Sequence, residues 1–401
     1  MIQLSLDIAK RVALINPSAT VGMIDKISEL KAQGKDIIAF NVGEPDFNTA
    51  DHINEAMFEA VRAGHTKYVN TNGIIELREA ISRKFKRENN IEYKASQIVV
   101  STGAKQALYN ILLTIAQEGD EVIIPTPCWA SYEELVKLVD AKCIFVETKD
   151  DFQLDVEAIE KAITTKTKAI IITTPNNPTG SVYDKESLKA VADLAIKSDF
   201  YIISDEIYEK LIYDGQKHVS MASLSQGAYE HTITVNGFAK AYAMTGHRIG
   251  YAAFPNDKLA KASSKIQAHT TSNSTTFVQY AAIEALESDQ SFVDEMVKEF
   301  EKRRNLSFKL LDDIDNIKYS KVNGAFYIMI DVSYYFGKKY GDLIIKDVND
   351  LSMYLLEEGL IALVPGSAFQ APNCLRFSYS NSQENIEKGL KRMKEALSKL
   401  K

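Results

Sequence analysis

The chain has 401 residues, 45% hydrophobic and 25% charged, with a formal net charge of −7. That is ordinary globular composition, with material for a large core and more than one domain. A mildly acidic chain without a basic tract is a poor partner for nucleic-acid phosphates, and without an apolar run of about 18 residues no transmembrane helix is expected.

The amino-terminal stretch MIQLSLDIAKRVALINPSAT carries Asp7, Lys10 and Arg11 within its apolar residues, unlike the unbroken core of a signal peptide. The cysteines, Cys128, Cys143 and Cys374, are widely spaced and odd in number. They give neither a disulfide framework nor a zinc pattern. A reducing cytoplasm is the expected setting, and no metal site is expected.

Through the middle of the chain, short apolar runs alternate with helical patterns. QIVVST (97–102) reads as a strand and GAKQALYNILLTIAQ (103–117) as an amphipathic helix. The strands GDEVIIPTP, KCIFVET and KAIIIT follow, separated by the helices SYEELVKLV and LDVEAIEKAI. ESLKAVADLAIKS is helical, FYIISDEIY is a strand running into a loop, and HTITVNGF and RIGYAAF are two further strands. Repeated βα alternation predicts an α/β fold, a largely parallel sheet covered by helices on both faces. The carboxy-terminal part changes character. A long charged helix, DEMVKEFEKRRNLSFKLLDDI, precedes the strands GAFYIMIDV (324–332), LIALVPGSAF (360–369) and NCLRFSYS (373–380), and NIEKGLKRMKEALSKL closes the chain as a helix. This predicts a smaller α+β domain, with a boundary near residues 290–300.

Polar residues cluster at the predicted strand ends. TTPNNPTG (173–180) follows KAIIIT. Its prolines lack a donor and restrict their neighbours, so the segment reads as a rigid, extended turn that fixes Asn177. Asp205 and Tyr208 follow FYII, Lys240 follows TITV, and Arg248 opens RIGYAAF. If these strands are neighbours, the group converges on one end of the sheet, where open α/β sheets bind ligands. Singly, each residue has an ordinary reading: a turn asparagine, a helix-capping aspartate, a solvated lysine, a surface arginine. Together they fit one cofactor, pyridoxal 5′-phosphate. A desolvated lysine supplies a neutral amine for an aldehyde. A buried aspartate keeps a ring nitrogen protonated. Asn177 and Tyr208 can hydrogen-bond the ring oxygen. Arg248 and the strand-to-helix turn at Gly103 can hold the phosphate. Trp129, the only tryptophan, can stack on the ring.

PNNPTG, SDEIYEKLIYDG and VNGFAKAYAMTGHRIGYA, together with GEPDF (43–47), TKYVNTNGIIELREAI (66–81) and LRFSYS (375–380), closely resemble the fold-type I, class I aminotransferases. The likeness is greatest to the bacterial aspartate aminotransferase subgroup. It implies a large domain (49–295) with a mostly parallel seven-stranded sheet, a small domain (296–401), and residues 1–48 shared between an arm and the small domain. It also implies a homodimer with shared active sites. Lys240 would bond the cofactor and shuttle the Cα proton. Asp205 would meet the ring nitrogen, and Asn177 and Tyr208 the ring oxygen. Gly103, Ala104, Lys105 and Arg248 would lie at the phosphate, which Tyr68 would reach in the partner subunit. Arg376 would clamp the substrate α-carboxylate, with Gly43, Asn177 and Trp129 beside it.

Some positions depart from that pattern. GFA (237–239) has no hydroxyl before the lysine, and His247 stands where the family has tryptophan. Asn16 replaces a lysine of the arm, which puts any added activity on prephenate-like acids in doubt. KIQAHTTSNSTT holds no arginine, so Lys105 and the hydroxyls of 270–276 are the candidates to recognise an acidic side chain. The expected reaction is amino transfer from L-aspartate to 2-oxoglutarate. Aromatic or alanine donors are the alternative, then a β-lyase on the same cofactor. A non-enzymatic regulator is disfavoured, because the short arm leaves no room for a DNA-binding module.

Overall fold

A computed structural model describes residues 8–16 and 19–401. Asp7 of the arm and Pro17 and Ser18 of INPSAT lie outside them. The central sheet has seven strands: β1 (Ile98–Ser101), β2 (Glu121–Thr126), β3 (Lys142–Glu147), β4 (Thr167–Thr173), β5 (Tyr201–Asp205), β6 (Thr232–Gly237) and β7 (Gly250–Ala253). Their spatial order is β1-β7-β6-β5-β4-β2-β3. β7 is antiparallel to both neighbours, and the other pairings are parallel.

Helices cover both faces, so the inner strands are buried throughout. Ile170, Ile171 and Ile172 of β4 and Ile202 and Ile203 of β5 are all buried. Helix α1 (Ala104–Ile115) follows β1 and buries Ala107, Leu108, Ile111, Leu112 and Ile115, the spacing of a single apolar stripe.

The parallel strands send their carboxyl ends to one edge of the sheet. The connection 238–249 leaves β6 there and returns directly as antiparallel β7, so Lys240 and Arg248 stay at that edge. Gly250 makes the return possible. A Cβ on Gly250 would stand 2.5 Å from the Ala104 backbone nitrogen and 2.8 Å from the Gly103 carbonyl carbon. Only a residue without a side chain lets β7 approach the start of α1 this closely.

The carboxy-terminal region carries a second, antiparallel sheet made of β8 (Lys318–Tyr319), β9 (Tyr327–Asp331), β10 (Val364–Pro365) and β11 (Cys374–Ser378), in the order β10-β11-β9-β8. Helices α2 (Ser291–Leu311) and α3 (Gln383–Leu397) cover it, and α2 runs unbroken through residue 295. Phe300, Leu311, Ile386, Leu390 and Met393 share one buried cluster with Tyr327, Phe377 and Tyr208, so the core of this sheet reaches the segment after β5. The expected strand over 360–369 is corrected. Ile361–Ala362 pairs with Ile38–Ala39, Val364–Pro365 joins the antiparallel sheet, and Gly366–Phe369 is a 3-10 turn. Pro365 has no N–H to continue a ladder.

Gly250→Ala is expected to lower stability by about 1–3 kcal/mol, because backbone at both contacts has to shift. Urea unfolding of the variant reads this; a midpoint equal to the parent's would mean the β7–α1 contact is loose.

Candidate active site

A cavity of 570 Å³ opens where the carboxyl ends of the central sheet face the antiparallel sheet. The segment SDEIYE shows how the chain divides its side chains there. Asp205 and Tyr208 line the cavity. Glu206 turns away and accepts hydrogen bonds from Ser204 and Ser220, each at 2.8 Å, with His218 at 2.9 Å. Glu209 accepts from Asn236 at 2.7 Å and pairs with the buried Lys84. Glu206, Glu209 and His218 lie within 4.8 Å of one another, and the ammonium of Lys84 supplies the positive charge beside them.

Asp205 is 3% exposed. Its Oδ2 accepts the Tyr132 hydroxyl at 2.7 Å, and that hydroxyl also lies 2.6 Å from the Thr173 hydroxyl. Its Oδ1 accepts from the Ile207 N–H at 3.3 Å. Burial pushes the carboxyl up to about 6, and the Tyr132 and Ile207 donors oppose the rise. A cationic N–H partner in the cavity would return it to the ionised form.

Lys240 donates to the Gly43 carbonyl oxygen. Its Nζ lies 5.7 Å from the centre of the Tyr208 ring and 5.8 Å from that of Phe326. Desolvation brings the amine down to about 8, against the pull of Glu44, and the charges of Arg376 and Arg248 add to the lowering.

Gly103 begins α1 with φ +86°, and the first turn presents backbone N–H groups toward the cavity edge. A Cβ at Gly103 would lie 2.7 Å from Arg248 Nη2. Glycine therefore lets the guanidinium sit against the helix start, where Arg248 Nη1 donates to the Thr245 carbonyl at 2.9 Å. Helix N-terminus and guanidinium together form an anion site. Lys105, in the same turn, holds its Nζ 4.8 Å from the Trp129 ring. Burial and the nearby Arg248 lower its pKa.

Arg376 is 3% exposed. Nη1 donates to Asn177 Oδ1 at 3.1 Å and Nη2 to the Asn41 carbonyl at 3.0 Å. Its Nε, and Asn41 Oδ1, are buried without a partner. An unpaired buried guanidinium N–H is costly, and Arg376 brings its charge to the cavity wall. The Arg376 guanidinium carbon also lies 4.5 Å from the centre of the Tyr327 ring and 4.9 Å from that of Phe369. Tyr208 and Tyr327 share a hydrogen bond of 3.0 Å between hydroxyls, and burial raises the pKa of both.

The cavity thus brings together Gly43, Gly103, Ala104, Lys105, Trp129, Asn177, Asp205, Tyr208, Lys240, Arg248 and Arg376. Tyr68 is not among its walls and is 89% exposed. None of residues 270–276 lines the cavity of the same chain. Asn16 bonds Glu134 at 3.1 and 3.2 Å on the surface. Asn176 accepts from the Thr179 N–H and hydroxyl at 3.2 and 3.0 Å, a local turn role. Sequence reasoning missed Tyr132, Tyr327 and Asn41. Tyr132 had a signal, standing three residues after Trp129 in CWASY; the other two depend on pairing between distant segments.

The family model for aminotransferase class I and II matches residues 35–393. A probable aspartate/prephenate aminotransferase of Aquifex aeolicus (strain VF5) is 45% identical over 397 residues, covering 98% of this chain and 99% of that one. The aspartate aminotransferase of Bacillus subtilis (strain 168) is 44% identical over 396 residues, covering 98% and 100%. Among solved structures, an aspartate aminotransferase from Thermus thermophilus with maleate superposes with a TM-score of 0.92 at 41% identity, covering 98% of this chain and 100% of that one. One from Rhizobium meliloti gives 0.95 at 36%, covering 99% and 100%.

Lys240 and Asp205 predict opposite pH effects on the cofactor-free protein. Between about pH 8 and the ordinary lysine value near 10.4, the unfolded chain holds the Lys240 proton and the folded one does not, so this contribution to stability rises with pH. Between the ordinary carboxylate value near 3.9 and about 6, the folded chain holds the Asp205 proton, so that contribution falls as pH rises. Amine acylation mapped by mass spectrometry should show Lys240 titrating near 8. A midpoint at the surface-lysine value would refute the desolvation argument.

Proposed function

The chain belongs to the class I and II aminotransferases, and on that premise we propose that it holds pyridoxal 5′-phosphate in this cavity and transfers the amino group of L-aspartate to 2-oxoglutarate. The observation that carries the reading is the convergence of Lys240, Asp205 and Arg376 on one cavity. The donor set suits a phosphorylated pyridine aldehyde: a lysine leaning toward its neutral form, a buried carboxyl short of a cation, and an anion site at the start of α1. The orphaned Arg376 Nε suits the carboxylate of an amino acid beside it. When bound, pyridoxal 5′-phosphate supplies an aldehyde that links covalently to amines and a ring that withdraws the electron pair left at Cα.

The residues of the chain do the rest. Lys240, its pKa lowered by desolvation, would be the amine that holds the cofactor and the base that takes and returns the Cα proton. Asp205, held by Tyr132, would meet the ring nitrogen and keep its proton in place. Tyr208 and Asn177 would address the ring oxygen, and Trp129 would cover the ring. Gly103, Ala104, Lys105 and Arg248 would hold the phosphate, joined by Tyr68 from a second copy. Arg376 grips the α-carboxylate with its planar fork, beside Gly43. Lys105 is the group in reach for a distal carboxylate. As a point charge without a fork it selects less sharply than an arginine, which leaves aromatic or alanine donors as the second reading. The active unit is a cytoplasmic homodimer. Residues 49–295 form the cofactor domain and 296–401, with part of 1–48, the small one.

The absorption spectrum of the purified protein tests this first. A visible band should appear with pyridoxal 5′-phosphate and disappear on adding L-aspartate. A band that responds only to phenylalanine or alanine would move the substrate, and no band at all would overturn the reading. Lys240→Ala should abolish transamination while unfolding as the parent does; near-normal turnover would contradict its role. Arg376→Lys should chiefly raise KM for the amino acid, about tenfold or more from loss of the two-pronged contact.

A further inference from the structure

The geometry points to Tyr327 as a positioning residue that aims the Tyr208 proton into the cavity and braces the Arg376 guanidinium, so that one side chain supports both ends of the substrate-binding apparatus. The inference rests on the cofactor reading proposed above.

Strand register places it there. On the antiparallel pair β9–β11, Tyr327 stands opposite Ser378 and Met329 opposite Arg376. Side chains two apart share a face, so Tyr327 and Arg376 are diagonal neighbours on the cavity side. That puts the Arg376 guanidinium carbon 4.5 Å from the centre of the Tyr327 ring, a favourable approach for a poorly solvated cation. The same ring meets Tyr208 edge-on, with centroids 5.9 Å apart and planes at 79°. Tyr327 arrives from the antiparallel sheet and Tyr208 from the end of β5, so the contact joins the two parts of the site.

A purely space-filling role would be met equally well by phenylalanine. It does not account for a hydroxyl at the cavity wall, 3.0 Å from the Tyr208 hydroxyl. Each phenol carries a single hydrogen. If Tyr208 donates to an oxygen in the cavity, it has none left for Tyr327, and the bond between the two must be donated by Tyr327. Accepting that bond orients the Tyr208 hydrogen toward the cavity and strengthens it as a donor. The two contacts of Tyr327 are chemically separate: the hydroxyl serves Tyr208 and the ring serves Arg376.

Two substitutions separate them. Tyr327→Phe removes only the hydroxyl, and Tyr327→Leu removes the ring as well. With pyridoxal 5′-phosphate bound, Tyr327→Phe should move the pH midpoint of the visible band upward by about half a unit, because a weaker donor leaves more negative charge on the ring oxygen and the neighbouring proton is held more tightly. Tyr208→Phe should move it further in the same direction, and adding Tyr327→Phe to it should cause no further shift. Maleate affinity, read from the same band, should stay within about twofold of the parent in Tyr327→Phe and fall about fivefold or more in Tyr327→Leu. An unmoved midpoint, a shift that persists without the Tyr208 hydroxyl, or full maleate affinity in Tyr327→Leu would overturn the assignment. A parent protein that develops no band would remove the cofactor reading and this inference with it. A parent band with an unmoved midpoint in Tyr327→Phe would remove only the role of Tyr327.

Discussion

The site depends on one amine that gives up its proton more readily than an ordinary lysine does. Lys240 is drawn down to about 8 first by desolvation, then by the charges of Arg376 and Arg248. Four basic side chains, Lys105, Lys240, Arg248 and Arg376, face one cavity and disfavour one another's charge, so each gains from a partner that favours it. Arg376 is fixed by the Asn177 side chain, the Asn41 carbonyl and the Tyr327 and Phe369 rings. Arg248 is fixed against the Thr245 carbonyl and the start of α1. The cavity thereby carries fixed positive charge at two places, the start of α1 beside Arg248 and the Arg376 guanidinium.

The same requirement explains the aromatic walls. Tyrosine offers an apolar body with one polar tip, so it can exclude water and still satisfy a buried partner. Tyr132 does this for Asp205 and Thr173, and Tyr327 for Tyr208 and Arg376. Behind the strand end, Glu206 and Glu209 are sealed in a separate network with His218, Lys84, Ser204 and Ser220. The Glu206 charge still reaches Asp205 and adds to the rise of its pKa. One four-residue step, Asp205 to Glu209, serves both sides because the chain turns as it leaves β5.

Much of this was legible in the residue order. Fully buried parallel strands leave continuous runs such as AIIIT and YIISD, and amphipathic helices between them leave a stripe every three to four residues. Each run also announces its own end, so the polar residue that follows it can be placed at the sheet edge. The reading failed at LIALVPGSAF, where apolar residues suggested one strand. There the chain leaves one partner at Leu363, and Pro365 and Gly366 break the ladder. Apolar composition alone does not show which sheet a residue joins.

By itself, the sequence determined the strand-end group Asn177, Asp205, Tyr208, Lys240 and Arg248, because those positions follow from local periodicity and turn chemistry. Arg376 was legible from its motif. Only the tertiary structure decided which groups touch. Tyr132 holds Asp205, Asn177 holds Arg376, and Tyr327 stands against both Tyr208 and Arg376. These contacts join residues from strands and loops far apart in the chain, through register and sheet order. Side-chain spacing along one strand fixes a face, but not the neighbour across it.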